Sequence, residues 1–211
     1  MTRQLFYATA NPGKLAELRT LLAPLSVLGP RDLDLTVEVE ESGATLEENA
    51  VLKLHAFAAA LPSPEFVILA DDTGIEIDAL NGEPGIHVRR WIGRRMSDAE
   101  IIEHCLSQMA QVPTDERGAQ FRTVFAMATG DMVAAGTAPV LVDGTLRGSI
   151  LPAADDLRIE GFPFESLFWV DDWDRLLGSV HHLPAGDRAG FETHRARALV
   201  AALPRLRVWL A

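Results

Sequence analysis

Apolar residues recur along this chain with two periods, and the switches between them mark out strands and helices. Gln4 to Thr9 reads as a first strand. Leu15, Leu18, Leu21 and Leu22 then recur at helical spacing, behind an Asn11 suited to cap a helix and a Pro12 suited to its first turn. Leu25 to Leu35 reads as a short strand and a loop. A second helix is expected from Leu46, because Thr45 and Glu48 have the spacing of a capping box. Its apolar positions are Leu46, Ala50, Leu54 and Phe57, with Asn49 and Lys53 four apart beside them. Polar groups next to a buried stripe need partners, so these two are candidates to line a site. Pro62-Ser63-Pro64 breaks this helix.

Phe66 to Ala70 is a continuous apolar run, the pattern of a buried strand, and it ends in Asp71-Asp72. Ile75, Ile77 and Ala79 then alternate with Glu76, Asp78 and Leu80, which predicts a second strand. The two aspartates would lie on a turn between them, at the carboxyl end of a strand, where open α/β sheets gather ligands. Successive side chains of a strand point to opposite faces, so both carboxylates reach one ion only if Thr73-Gly74 breaks that alternation.

Asn81 to Gly85 is a dense turn, and His87 to Arg95 a basic cluster. Ser97 and Glu100 form a second capping box, opening a helix with Ile101, Ile102, Cys105, Leu106 and Met109 on its apolar side. Phe121 to Thr129, Met132 to Val142 and Gly144 to Ile150 read as strands, with Gly130-Asp131 as a hairpin turn. Phe162 to Trp169 gathers aromatics around Glu165, a composition that suits either a stack for a flat base or a core. Thr193 is placed to cap a last helix running to Leu203, with His194 and Arg195 in its first turn.

Charge changes the picture in two ways. The formal net charge of the 211 residues is −11, which argues against a nucleic-acid partner, since that would need a basic face. Lys14, and again His194 and Arg195, stand at helix starts, where positive charge is disfavoured. A bound anion such as phosphate would resolve that conflict, although the P-loop spacing is absent. No apolar run is long enough to span a bilayer and the first residues enter a strand pattern directly, so no signal peptide or membrane anchor is expected. A single cysteine, Cys105, suits a reducing cytoplasm.

Four blocks resemble one family in register. They are Thr9-Ala10-Asn11-Pro12-Gly13-Lys14; Glu41-Ser42-Gly43 with Glu48-Asn49-Ala50 and Lys53; Asp71-Asp72-Thr73-Gly74 with Asp78 to Gly82 and Pro84-Gly85; and Thr193-His194-Arg195 with Ala198-Leu199. They are similar to the inosine/xanthosine triphosphate pyrophosphatases, which hydrolyse deaminated purine nucleotides such as ITP, dITP and XTP to the monophosphate and pyrophosphate. The resemblance implies an elongated α/β protein, a single domain over residues 1–211. A long mixed β-sheet with flanking helices would form two lobes enclosing a central cleft, in a cytoplasmic homodimer. It further implies Mg²⁺ placed by Glu41 and Asp72, with Asp71 as a further candidate, and Asp72 as general base. Thr9, Asn11, Lys14 and Lys53 would hold the phosphates, with Thr73, Arg90, Phe162, Glu165, His194 and Arg195 completing the substrate site.

The chain departs from the family around the base. Gly161-Phe162-Pro163-Phe164-Glu165-Ser166 stands where Gly-Phe-Gly-Tyr-Asp-Pro is usual, so the aromatic ring and an acid remain and the tyrosine hydroxyl is gone. Ala189 stands where a lysine is expected, and Val88-Arg89-Arg90 keeps only the last residue of Ser-Ala-Arg. A divergent relative with altered base specificity, or a catalytically silent nucleotide-binding protein, is the alternative. A haloacid-dehalogenase phosphatase would need aspartate where Thr73 stands.

Overall fold

The computed structural model describes residues 3–183, 185–188 and 190–211. Among these, eight strands form one sheet: β1 (Gln4–Tyr7), β2 (Val27–Leu28), β3 (Phe66–Ile77), β4 (Pro84–Gly85), β5 (Gly118–Thr129), β6 (Val140–Ile150), β7 (Phe168–Val170) and β8 (Arg175–Leu176). The order is β2-β1-β3-β5-β6-β7-β8, with β4 on β3. β1 runs parallel to β2 and β3, while β4 is antiparallel to β3 and β7 antiparallel to both β6 and β8, so the sheet is mixed. Helices α1 (Pro12–Leu22), α2 (Leu46–Ala60), α3 (Asp98–Gln108), α4 (Gly130–Ala134) and α5 (His194–Leu210) complete the α/β architecture. No helix among the described residues is long and apolar enough to cross a membrane.

Local cap chemistry sets the helix starts. Asn11 accepts from the N–H groups of Gly13 and Lys14 at the head of α1, and Thr45 accepts from Glu48 at the head of α2. The carboxylate of Glu48 turns to Ala44 N–H instead of closing a box on Thr45. Ser97 and Glu100 do form the full reciprocal box on α3.

Three expectations are overturned. Asp71-Asp72-Thr73-Gly74 is not a turn: β3 runs unbroken through it for 12 residues. Gly74 is there because β4 lies so close that a Cβ would stand 2.6 Å from the Gly85 carbonyl oxygen. Gly130-Asp131 is not a hairpin turn either, and Met132 does not open a strand. Thr129 caps the short helix α4 by accepting from Met132 N–H, and the next strand begins only at Val140 and runs through Gly144. The last helix passes through Pro204 to Leu210 instead of stopping at Leu203.

The chain divides into two compact units. The first comprises the chain up to Thr73 with Thr123–Gly144 and Arg195–Ala211. Its core gathers Leu5, Tyr7, Val67 and Leu69 of β1 and β3 with Leu18 and Leu22 of α1 and Leu199, Ala202 and Leu206 of α5. The second comprises Gly74–Arg122 and Thr145–His194, with a core of its own around Ile75, Ile77, Ile101, Cys105, Phe121, Phe164 and Phe168. Burial there pushes the Cys105 thiol up to about 12, so it is an inert core residue.

Candidate active site

The register of β1 on β3 determines what surrounds the two aspartates. Tyr7 pairs with Leu69, so the two side chains share a face of the sheet, and Asp71 follows two residues later on that face. Tyr7 is fully buried, and a buried phenol needs a partner; its hydroxyl donates to Asp71 Oδ1 at 2.6 Å. Lys14 Nζ donates to Asp71 Oδ2 at 2.7 Å and the Thr73 hydroxyl donates to the same oxygen at 3.1 Å. Arg195 Nε lies 3.7 Å away. Burial alone would push the Asp71 carboxyl up, but Lys14, Arg195 and Lys53 outweigh it and hold it far below the carboxylate range. This carboxylate neutralises the helix starts that the sequence left in conflict. Lys14 at the head of α1 is countered by Asp71, and buried Arg195 at the head of α5 by an ion pair with Glu17 as well.

Asp72 faces the other way. On its side of the sheet lies α2, where Asn49, Lys53 and Phe57 recur every fourth residue and Phe57 packs against Phe6. That stripe sets Asn49 and Lys53 against Asp72: Lys53 Nζ donates to Asp72 Oδ1 at 2.6 Å and Asn49 Nδ2 to Oδ2 at 3.3 Å. Lys53 also reaches Glu41 Oε1 at 2.7 Å and the Asp71 carbonyl oxygen at 3.2 Å. Burial works against the Lys53 ammonium, yet Asp72, Asp71 and Glu41 together raise its pKa to about 12. Asp72 is pushed above the ordinary aspartate value by burial, against the pull of Lys53 and Lys14.

The structure therefore brings Glu41, Lys53 and Asp72 together and places Asp71 on the opposite face with Lys14. Among the described residues, no three acidic, histidine or cysteine side chains form a ready ligand set. Glu41 and Asp72 nevertheless close on one cation, the Lys53 ammonium, so their donor set fits a hard cation. Asp71 does not fit that set, since Tyr7, Lys14 and Thr73 already occupy its oxygens. Thr9, half-buried, accepts from Asn11 N–H at 3.2 Å and braces the cap of α1. Thr73 accepts from Arg195 at 3.3 Å and lies 2.8 Å from the Thr123 hydroxyl.

The remaining candidates belong to the second unit. His194 is buried and stacks on Phe121 with ring centroids 4.7 Å apart, so the adjacent His194 and Arg195 serve different surroundings. Phe162 is half-buried at the start of a short 3₁₀ turn, and Glu165 is 4% exposed within it. Phe164, where the resembling family has tyrosine, lies in the core beside Trp91 and Phe121. Arg90 is exposed in the turn Val88–Arg90. Ala189 lies outside the described residues. Sequence reasoning missed Tyr7 and Glu17. The chain has only one tyrosine, and its place beside Leu5 and Phe6 in a strand was the available signal.

Comparison with known proteins identifies the family. The sequence profile of the Ham1 family matches residues 5–204. A Bacillus cereus protein named dITP/XTP pyrophosphatase is 34% identical in an alignment of 202 positions that covers 93% of this chain and 91% of the relative. A Staphylococcus aureus protein of the same name is 34% identical over 197 residues, 93% of each chain. The solved structure of the Staphylococcus aureus Ham1 protein is similar with a TM-score of 0.75 and 32% identity, covering 98% of this chain and 99% of that one. With the profile matched along nearly its whole length and relatives a third identical to it, the chain belongs to the Ham1 family.

Proposed function

We propose that the protein is a magnesium-dependent nucleoside triphosphate pyrophosphatase acting on deaminated purine nucleotides such as ITP, dITP and XTP. As a member of this family it is a hydrolase of triphosphate anhydrides. The observation that carries the finer reading is the cluster of Asp72, Lys53 and the partly exposed Glu41, with Asn49 fixing the second oxygen of Asp72. A carboxylate held above its usual pKa, two buried ammonium groups and a second carboxylate are what hydrolysis of a polyphosphate requires.

In this reading Lys14 and Lys53 donate to phosphate oxygens. Each ammonium has three donors: Lys14 gives one to Asp71, while those of Lys53 meet Asp72, the Asp71 carbonyl oxygen and Glu41, so Lys53 would release the half-exposed Glu41 to take a phosphate oxygen. Asn11 and Thr9 fix the head of α1, where phosphate oxygens meet the positive end of the helix. Magnesium bound by Glu41 and Asp72 would supply charge neutralisation at the phosphates. Asp72 orients a water and takes its proton as the water oxygen attacks the α-phosphorus. The bond from that phosphorus to the α–β bridging oxygen breaks, leaving the monophosphate and pyrophosphate. Asp71 holds Lys14 and Arg195 in place and stays ionised.

Phe162, Glu165, Arg90 and His194 would read the base. A change of base specificity, if the chain has one, would arise here, where Phe164 replaces the family's tyrosine and packs in the core. A homodimer in the cytoplasm completes the reading. The test is a panel of purine and pyrimidine triphosphates with Mg²⁺, comparing kcat/KM. ITP, dITP or XTP should exceed ATP and GTP. Nucleotides that bind tightly without turnover would instead identify a silent relative.

A further inference from the structure

The segment Gly161–Ser166 carries the two residues assigned to the base, Phe162 and Glu165, and its placement depends on a residue 63 positions away in sequence. Asp98 Oδ2 accepts from Gly161 N–H at 2.8 Å, while Oδ1 pairs with the guanidinium of Arg89. Asp98 opens α3, but the capping of that helix is done by Ser97 and Glu100. The Asp98 carboxylate is therefore committed to tertiary contacts on both oxygens.

Gly161 is where a tether has most effect. Its φ of +86° lies in the left-handed region, and the chain turns there into Phe162, whose N–H bonds to Ile159 at 3.0 Å. The far end of the segment is tied separately, by Asp155 N–H to the Ser166 carbonyl oxygen at 2.9 Å, and its middle by Phe164 in the core. Asp98 is the anchor that ties the Phe162 end of the segment to the head of α3.

We infer that Asp98, oriented by Arg89, is a specificity-determining positioning residue that sets the base-reading segment through Gly161. The inference rests on the functional reading above, in which Phe162 and Glu165 meet the base. It predicts a division that a merely structural role would not produce. Discrimination between bases should fall, while handling of the triphosphate should not.

The test measures kcat/KM for ITP, XTP, ATP and GTP, and for ribose 5-triphosphate as a base-free probe, in the wild type, Asp98→Ala, Asp98→Asn and Arg89→Ala. Asp98→Ala should reduce the preference for the best base over the worst about tenfold, the scale of one lost charge-assisted hydrogen bond. Ribose 5-triphosphate should change less than about twofold, since that substrate makes no contact with the segment. Asp98→Asn keeps an oxygen for Gly161 and should retain most of the preference. Should Asp98→Ala not fold, Arg89→Ala carries the same comparison, with a smaller loss of preference. An unchanged ranking, or an equal loss on every substrate including ribose 5-triphosphate, overturns the inference. Absence of turnover in the wild type overturns the functional reading and this inference with it, and is seen before any variant is made.

Discussion

Replacing Lys53 with methionine removes the cation on which Glu41 and Asp72 converge while keeping most of the volume of the side chain. In the wild type the Lys53 side chain is 14% exposed and that of Asp72 10%, so their ion pair is nearly desolvated. Removing one partner of a buried pair costs about 3–5 kcal/mol, because the other charge is left uncompensated. Glu41 is 37% exposed, so water can take up its share of the loss. The cost should therefore lie at the lower end, about 3 kcal/mol, or roughly a hundredfold in the folded-to-unfolded ratio. Urea unfolding in metal-free buffer near neutral pH reads this as a lowered midpoint with an unchanged slope. The pH dependence is a second check. Burial already raises the Asp72 carboxyl, and without Lys53 it titrates higher still. A group whose pKa is raised by folding contributes stability at low pH that is lost as pH rises through the folded value. The gap between variant and wild type should thus be smallest in acid and widen toward neutral pH. A cost below about 0.5 kcal/mol, the scale of an ordinary surface substitution, or a gap independent of pH, would refute the buried-pair argument.

Asp72→Asn should lower kcat by about 10²- to 10⁴-fold, the usual contribution of a positioned general base, while calorimetry still detects nucleotide binding; unchanged kcat would remove Asp72 from that role. Tyr7→Phe should cost about 1.5–2 kcal/mol, the low end for a hydrogen bond to a charged group, because Lys14 and Thr73 still serve Asp71. A stability equal to wild type in chemical denaturation would mean that the hydroxyl contributes nothing. Gly74→Ala places a methyl group against the Gly85 carbonyl oxygen and should cost about 1–3 kcal/mol by displacing β4; a neutral effect on the melting temperature would show that β4 adjusts freely.

Features set by neighbouring residues were legible in the sequence. Asn11, Thr45 and Ser97 announce helix starts because each satisfies N–H groups two or three residues ahead. The placing of Asn49 and Lys53 one turn apart, beside the apolar face of α2, likewise follows from helical spacing alone. What failed was long-range. Thr73-Gly74 has turn chemistry, yet pairing across the sheet keeps β3 straight, and the glycine serves the approach of β4. The separation of Asp71 from Asp72 follows from that continuity. The link from Tyr7 to Asp71 depends on the register of β1 on β3, which no local pattern encodes. Met132 to Val142 has the apolar content of a strand, but the Thr129 cap turns its start into a helix.

Incubating the enzyme with dITP and Mg²⁺ while measuring pyrophosphate and orthophosphate separately tests the central claim most directly. The account predicts one pyrophosphate for each dIMP and no orthophosphate. Release of orthophosphate with dIDP, or no turnover at all, would contradict it.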